Sequence, residues 1–99
     1  MQQLTYSILE CAETPDHWIV ECTMSYIPDW EVCQQDISDW LLSLGFIIKE
    51  FSLGADRFSW RLDLAGLICM FHVEFLTETF WFDCDDAITR DTIVLGLVN

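Results

Sequence analysis

Basic residues are what this chain of 99 amino acids has least of. Four Lys and Arg stand against seventeen Asp and Glu, and residues 1 to 48 contain eight acids and no base at all. Phosphate contacts require a basic footprint, so the shortage argues against direct binding to nucleic acid, and an anionic membrane surface would repel the chain for the same reason. Glycine is scarce too. The glycines at 45, 54, 66 and 96 are isolated, each at the end of an element or in a turn, which leaves no glycine-rich loop to cradle a nucleotide phosphate. The five cysteines form no CxxC pair and are odd in number. That pattern fits poorly with a disulfide framework and well with a reducing compartment, the cytoplasm. Long apolar runs are missing as well: Leu64 to Val73, the longest uncharged apolar stretch, is far too short to span a bilayer. Met1-Gln2-Gln3-Leu4 carries no positive charge and no apolar run follows it, which is not the pattern of a signal peptide.

What is present in quantity is apolar side chain. Hydrophobic residues make up 53% of the sequence, with five Trp and seven Phe, enough to build a core for one domain over 1–99 without a metal or a disulfide. Some apolar surface is left over for a partner, and a homodimer would absorb it. The net charge of −13 is accounted for most simply by solubility. Cys11, Cys22 and Cys33 are equally spaced, but a metal site would need two strands and a helix to converge, and small buried apolar side chains are the ordinary reading of free cysteine.

The stretch from Phe46 to Asp85 reads as successive strands. Phe58, Trp60, Leu62 and Leu64 alternate with Arg57, Ser59, Arg61 and Asp63, the period-two pattern of a strand with one buried face. Phe51 and Leu53 precede them across Gly54-Ala55-Asp56; Leu67 to Leu76 and Thr79 to Asp85 follow, with Ala65-Gly66 and Thr77-Glu78 as turns. Turns this short make antiparallel neighbours. If every loop has two residues, Leu53, Phe58, Val73 and Phe82 align on the buried face, as do Phe51, Trp60, Phe71 and Cys84. The wet face then carries Glu50, Arg61, Met70 and Asp85 in one row, Ser52, Ser59, His72 and Asp83 in the next, and Arg57, Glu74 and Trp81 in a third. Opposite charges directly across a strand contribute roughly 0.2–1 kcal/mol per pair. Lys49 falls on the core face in this alignment, so either its stem snorkels at the strand end or a bulge shifts the register there.

Before the meander, Leu4, Tyr6 and Ile8 alternate with Thr5 and Ser7, and Trp18, Val20, Cys22 and Met24 alternate with Ile19, Glu21 and Thr23, with Ala12 to Asp16 as a loop. This is a hairpin whose apolar face can join the meander's sheet or cover one end of it. Pro28-Asp29 then switches the period. Trp30, Cys33, Ile37, Trp40, Leu41 and Leu44 recur at helical spacing, Asp29 is placed as an N-cap, and Gly45 sits where a left-handed residue is wanted. The other face of this amphipathic helix carries Glu31, Gln34, Gln35, Asp36, Ser38 and Asp39 with no Lys or Arg to pair with them. At the end of the sequence, the spacing of Ala87/Ile88 with Val94/Leu95 favours a short helix while β-branched Thr92-Ile93-Val94 favours a strand; the helix reading is taken here.

Ser59, His72 and Asp83 in one row would make a nucleophilic triad, but serine nucleophiles need an exposed elbow and free backbone donors, which a central strand has already used. An ordinary polar row is the plainer reading. His72 and Glu74 opposite Asp83 and Asp85 offer mixed metal ligands, yet a flat sheet does not by itself gather them into a coordination sphere. No cofactor is expected. His72, beside Asp83 and Glu74, is expected to titrate above about 6.5 because nearby negative charge favours imidazolium.

Asp56-Arg57-Phe58-Ser59-Trp60-Arg61-Leu62-Asp63, followed by Glu78-Thr79-Phe80-Trp81-Phe82, resembles small uncharacterised bacterial proteins of a domain-of-unknown-function family. The resemblance implies a bacterial cytoplasmic protein and supplies no activity or ligand.

The sequence thus predicts an α+β domain in the order ββαββββα, an antiparallel sheet of about six strands with one long and one short helix on one face. The leading functional expectation is a non-catalytic acidic interaction or regulatory module for a basic protein partner, through Glu31, Asp36 and Asp39 or through Trp81. The rival is a small enzyme or metal-binding protein using the polar face around His72.

Overall fold

The computed structural model describes residues 6–13, 18–26 and 28–98. Strands β1 (Tyr6–Glu13) and β2 (Trp18–Met24) lead into helix α1 (Trp30–Ser43). Strands β3 (Ile47–Leu53), β4 (Arg57–Leu64), β5 (Leu67–Glu74) and β6 (Thr79–Cys84) follow, and helix α2 (Ala87–Val98) ends the described chain. This is the α+β order ββαββββα. The six strands form one antiparallel sheet in the order β1-β2-β6-β5-β4-β3. The N-terminal hairpin therefore extends the meander's sheet through β2 beside β6.

The β4–β5 register is as the alternation requires from Arg57↔Glu74 to Leu64↔Leu67. The turn between them places Ala65 at φ 52° and Gly66 at φ 90°, two left-handed residues in succession, which matches the right-handed twist of a hairpin. Asp63 Oδ1 accepts a 2.7 Å bond from the Gly66 N–H. In β3–β4 the expected pairs run from Glu50↔Arg61 to Leu53↔Phe58, and the register then shifts between Ile48 and Glu50. Lys49 is the bulged residue and is exposed, so the bulge releases its ammonium from the core face. Leu53 pairs on that face but lies on the edge strand and stays exposed.

The β5–β6 register departs from the expected one by two residues. Phe71 faces Phe82, Val73 faces Phe80, and Cys69 faces Cys84, because the turn spans residues 75–78 rather than Thr77-Glu78. Phe75 leaves the ladder for a better partner. Its ring packs 4.8 Å from Trp30 and 5.0 Å from Phe58, and its N–H bonds to the Asp56 carbonyl at 2.9 Å. A shift of two keeps every side chain on its own face, so the core composition survives while the cross-strand neighbours change.

Both helices pack on one face of the sheet. Cys33, Ile37, Trp40 and Leu41 of α1 and Thr89, Ile93 and Leu97 of α2 are buried, against a layer that includes Val20, Phe58, Trp60, Leu62, Phe71, Val73, Phe80 and Phe82. Full burial of one such large side chain stabilises by about 1.5–3 kcal/mol. Trp40 meets Phe71 edge-on at 5.4 Å, Phe46 stacks on Phe82 at 5.4 Å, and the Trp60 indole N–H donates to Ser38 Oγ at 3.0 Å. Asp29 is at the N-cap of α1, but its carboxylate makes no capping bond. The helix ends as expected at Gly45, φ 97°, where the Gly45 N–H bonds to the Leu42 carbonyl and the Phe46 N–H to the Leu41 carbonyl. That pair of bonds is a Schellman motif. The start of α2 is fixed by Asp86, whose Oδ1 accepts from the Thr89 N–H at 2.7 Å; this cap and the burial of Thr89, Ile93 and Leu97 outweigh the β-branched preference for strand. No helix among the described residues is long and apolar enough to cross a membrane.

Candidate interaction surfaces

The uncovered face of the sheet carries the polar row that includes His72. Across β3, β4, β5, β6 and β2 this row reads Ser52, Ser59, His72, Trp81 and Glu21. Ser59 and His72 meet as expected, with Ser59 Oγ 2.8 Å from His72 Nδ1. Asp83 is not in the row. The two-residue shift moves it opposite Met70 and Ile19, and Trp81 takes the place beside His72, ring centroids 5.1 Å apart. The expected Ser59–His72–Asp83 alignment is therefore corrected to Ser59–His72–Trp81.

Arg57 ties this row to the next. Its guanidinium lies 5.0 Å from the Trp81 ring centroid and pairs with Glu74, Nε to Oε2 being 3.2 Å. The Arg57–Glu74 pair is as the alternation requires, but the expected row Arg57, Glu74, Trp81 is corrected, because Thr79 rather than Trp81 faces Glu74 and Trp81 stands one row over beside His72. A half-buried ring beside a guanidinium does not favour a second positive charge. The His72 pKa is accordingly lowered from 6.5, first by burial and then by Arg57, with Asp83 opposing. The expected rise is overturned because desolvation outweighs the neighbouring carboxylate.

A depression of about 330 Å³ on this face is lined by Arg61, Ile68, Met70, Asp83 and Asp85, one row away from His72. Among the described residues no group of three or more His, Cys, Asp or Glu converges as a metal site. Cys69 and Cys84, brought opposite each other by the shifted register, lie on the helix side with thiols pushed up to about 12. Burial is the main cause for both.

The second surface is the outer side of α1. Glu31, Gln34, Gln35 and Asp39 are exposed, and Asp39 Oδ1 accepts a 2.7 Å bond from Gln35 Nε2. Asp36 differs from expectation in being half-buried, where it bonds to the Tyr26 hydroxyl and helps raise that group's pKa, after desolvation. Because α1 lies on the covered side of the sheet, its carboxylates and Trp81 are on opposite sides of the molecule. The structure thus brings Glu31, Asp36 and Asp39 together along one helix and places Trp81 with His72, but it does not unite the two groups.

A third surface has no counterpart in the sequence reading. A cleft of about 280 Å³ opens between the end of α1, the β4–β5 turn and the last turns of α2, lined by Leu44, Phe46, Leu64, Leu95, Gly96 and Leu97 among others. Its signal in the sequence is that α2 is apolar on more than one side. Ile88 and Leu95 lie seven residues apart, away from the buried Thr89, Ile93 and Leu97. No family model, curated protein or solved structure matches the chain, so function has to be read from its own residues.

Proposed function

We propose that this protein is a non-catalytic interaction module that docks a basic protein partner through the outer face of α1. The observation that carries the reading is a separation of charge. Of the four bases, Arg57 is engaged with Glu74 and Trp81, and Arg90 is paired with Asp91 at 2.9 Å. Lys49 and Arg61 belong to the sheet, and the charged side chains that α1 presents to solvent are all acids. Fields of this kind raise association rates and reject acidic partners. A reducing, cytoplasmic setting accords with the free thiols of Cys22, Cys33, Cys69 and Cys84.

A second reading, a small enzyme or metal-binding protein using the polar sheet face, draws on the 2.8 Å Ser59–His72 contact and on an imidazole held neutral. It is weaker, because the residue across from His72 is an indole rather than a carboxylate and the depression on this face is lined from the neighbouring row.

The test is capture on the immobilised protein from a bacterial lysate, in parallel with a variant carrying Glu31→Gln, Asp36→Asn and Asp39→Asn. The reading expects basic proteins that elute with moderate salt and are depleted on the variant. Retention of the same proteins by both baits, unaffected by salt, would overturn it.

A further inference from the structure

Strand β3 ends the sheet order, and no strand among the described residues lies beyond it. Its turn into β4 shows which backbone groups face outward. The Gly54 N–H bonds to the Arg57 carbonyl at 2.7 Å, and facing residues of antiparallel strands alternate between hydrogen-bonded and non-hydrogen-bonded pairs. Leu53↔Phe58 and Phe51↔Trp60 are therefore non-bonded, while Ser52↔Ser59 and Glu50↔Arg61 exchange bonds. The two-residue turn at Ala65-Gly66 makes Leu64↔Leu67 a bonded pair and gives the same phase from the other side of β4. The N–H and C=O of Phe51 and Leu53 thus point along the open edge. Such an edge is a template for another strand unless charge, a bulge or a cover guards it. On β3 the bulge and the lysine stop at residue 49, and Glu50 to Leu53 keep a regular register, with Leu53 63% exposed. Charge decides what can approach. The chain carries −13 overall, yet the β3–β4 hairpin, residues 47–64, sets Lys49, Arg57 and Arg61 against Glu50, Asp56 and Asp63 and is neutral. Residues 6–24, from the start of β1 to the end of β2 at the opposite edge, carry Glu10, Glu13, Asp16 and Glu21 with no Lys or Arg.

We propose that the β3 edge pairs antiparallel with β3 of a second copy about a two-fold axis at Ser52, continuing one sheet across both molecules. Phe51 then faces the partner's Leu53 and Leu53 the partner's Phe51, so the outward backbone groups of both copies are satisfied and the exposed leucine is covered. Lys49 falls beside the partner's Asp56, a meeting of opposite charges that the symmetry makes twice. Glu50 faces the partner's Gly54, and no like charges are opposed. Neighbouring registers are worse. Moving the axis to Leu53 sets Glu50 against the partner's Asp56, and moving it to Phe51 runs the bulge at Lys49 into the ladder. The remaining acids of two copies repel at long range, so the pairing strengthens as salt screens them, the reverse of the salt dependence expected for docking on α1.

The test is analytical ultracentrifugation of the full chain over a range of protein and salt concentrations, with amide hydrogen exchange read residue by residue at both ends of the range. The variants are Leu53→Pro, which removes only an outward N–H and which an edge strand tolerates, Lys49→Glu, and Lys49→Glu combined with Asp56→Lys. Expected is a dimer that tightens as salt rises, with the Phe51 and Leu53 amides gaining protection as protein concentration increases. Leu53→Pro and Lys49→Glu each weaken the dimer at least roughly tenfold, and the double exchange of charge recovers most of the loss. Lys49→Glu alters an exposed side chain, so it reports on pairing even where Leu53→Pro disturbs folding. A chain that stays monomeric at millimolar concentration and in raised salt would overturn the second copy as occupant and leave the edge to a strand of another protein. A dimer unmoved by Lys49→Glu, whose Phe51 and Leu53 amides exchange as in the monomer, would overturn the β3 edge as the contact. A double variant no tighter than Lys49→Glu alone would overturn the register about Ser52.

Discussion

His72 stands half-buried between Ser59 and the Trp81 ring, with the Arg57 guanidinium over the same indole. Burial and Arg57 together hold its pKa below 6.5. A folded pKa below the unfolded one means the unfolded chain takes up the proton first as pH falls. The contribution to stability is present above about 6.5 and is lost as pH falls through the lower folded value. An NMR titration of the imidazole should therefore give a midpoint under 6.5, and a midpoint above it would mean that Asp83 dominates after all. A second residue-scale expectation concerns Ser38. Its hydroxyl is the acceptor for the indole N–H of Trp60, a side chain with no exposed surface. Ser38→Ala strands a buried donor and should cost about 1–3 kcal/mol in denaturant unfolding. A smaller loss would show that the indole finds another acceptor. The sequence alone placed Ser38 among the polar residues of α1's outer face, because periodicity reports which side of a helix is apolar and not which hydroxyl at its margin meets the sheet.

At the scale of elements, the end of α1 depends on one backbone conformation. Gly45 has φ 97° and its Cβ position lies 4.0 Å from the nearest atom, Leu64 Cδ1, so space is no obstacle and conformation is. Gly45→Ala should destabilise by about 1–2 kcal/mol, measurable as a lowered midpoint in urea; no change would mean the Schellman turn has an alternative geometry. This cap was legible in the sequence, as were α1, the six strands and the β4–β5 register, because each is set by local signals: alternation, a helical stripe, a glycine after it, a two-residue turn at Ala65-Gly66; α2 was only half legible, since its apolar spacing favours a helix and β-branched Thr92-Ile93-Val94 a strand. The β5–β6 register was not legible. Thr77-Glu78 reads as a turn, and only the long-range contacts of Phe75 with Trp30, Phe58 and the Asp56 carbonyl draw Phe75 and Leu76 into it. The consequence fell on the candidate site, where Trp81 rather than Asp83 faces His72. The bulge at Lys49 was half legible, since a lysine on a core face announces a conflict that either snorkelling or a bulge resolves.

Over the whole molecule, the sheet separates two polar surfaces of different character. On the uncovered face the bases Arg57 and Arg61 stand among the acids, with Arg57 paired to Glu74 and Arg61 opposite Glu50, and the aromatic Trp81 is shielded by its neighbours. On the α1 side the acids have no basic residue in their helix, and the apolar cleft opens beside its end. Surface replacements of solvated carboxylates usually change stability by no more than about 0.5 kcal/mol, which covers Glu31 and Asp39, while Asp36→Asn at the half-buried position keeps an amide oxygen to accept from the Tyr26 hydroxyl. Long-range attraction by that face acts over a screening length of about 8 Å at physiological salt, whereas apolar burial is far less sensitive to salt at such concentrations. The most direct measurement is the association rate of the captured partner as a function of ionic strength, for the unmodified protein and for the triple variant with Glu31→Gln, Asp36→Asn and Asp39→Asn. The predicted result is a rate that falls steeply with salt for the unmodified protein, and a slower, flatter dependence for the variant. Identical rates with the same weak salt dependence for both would contradict the assignment of the α1 face as the docking surface.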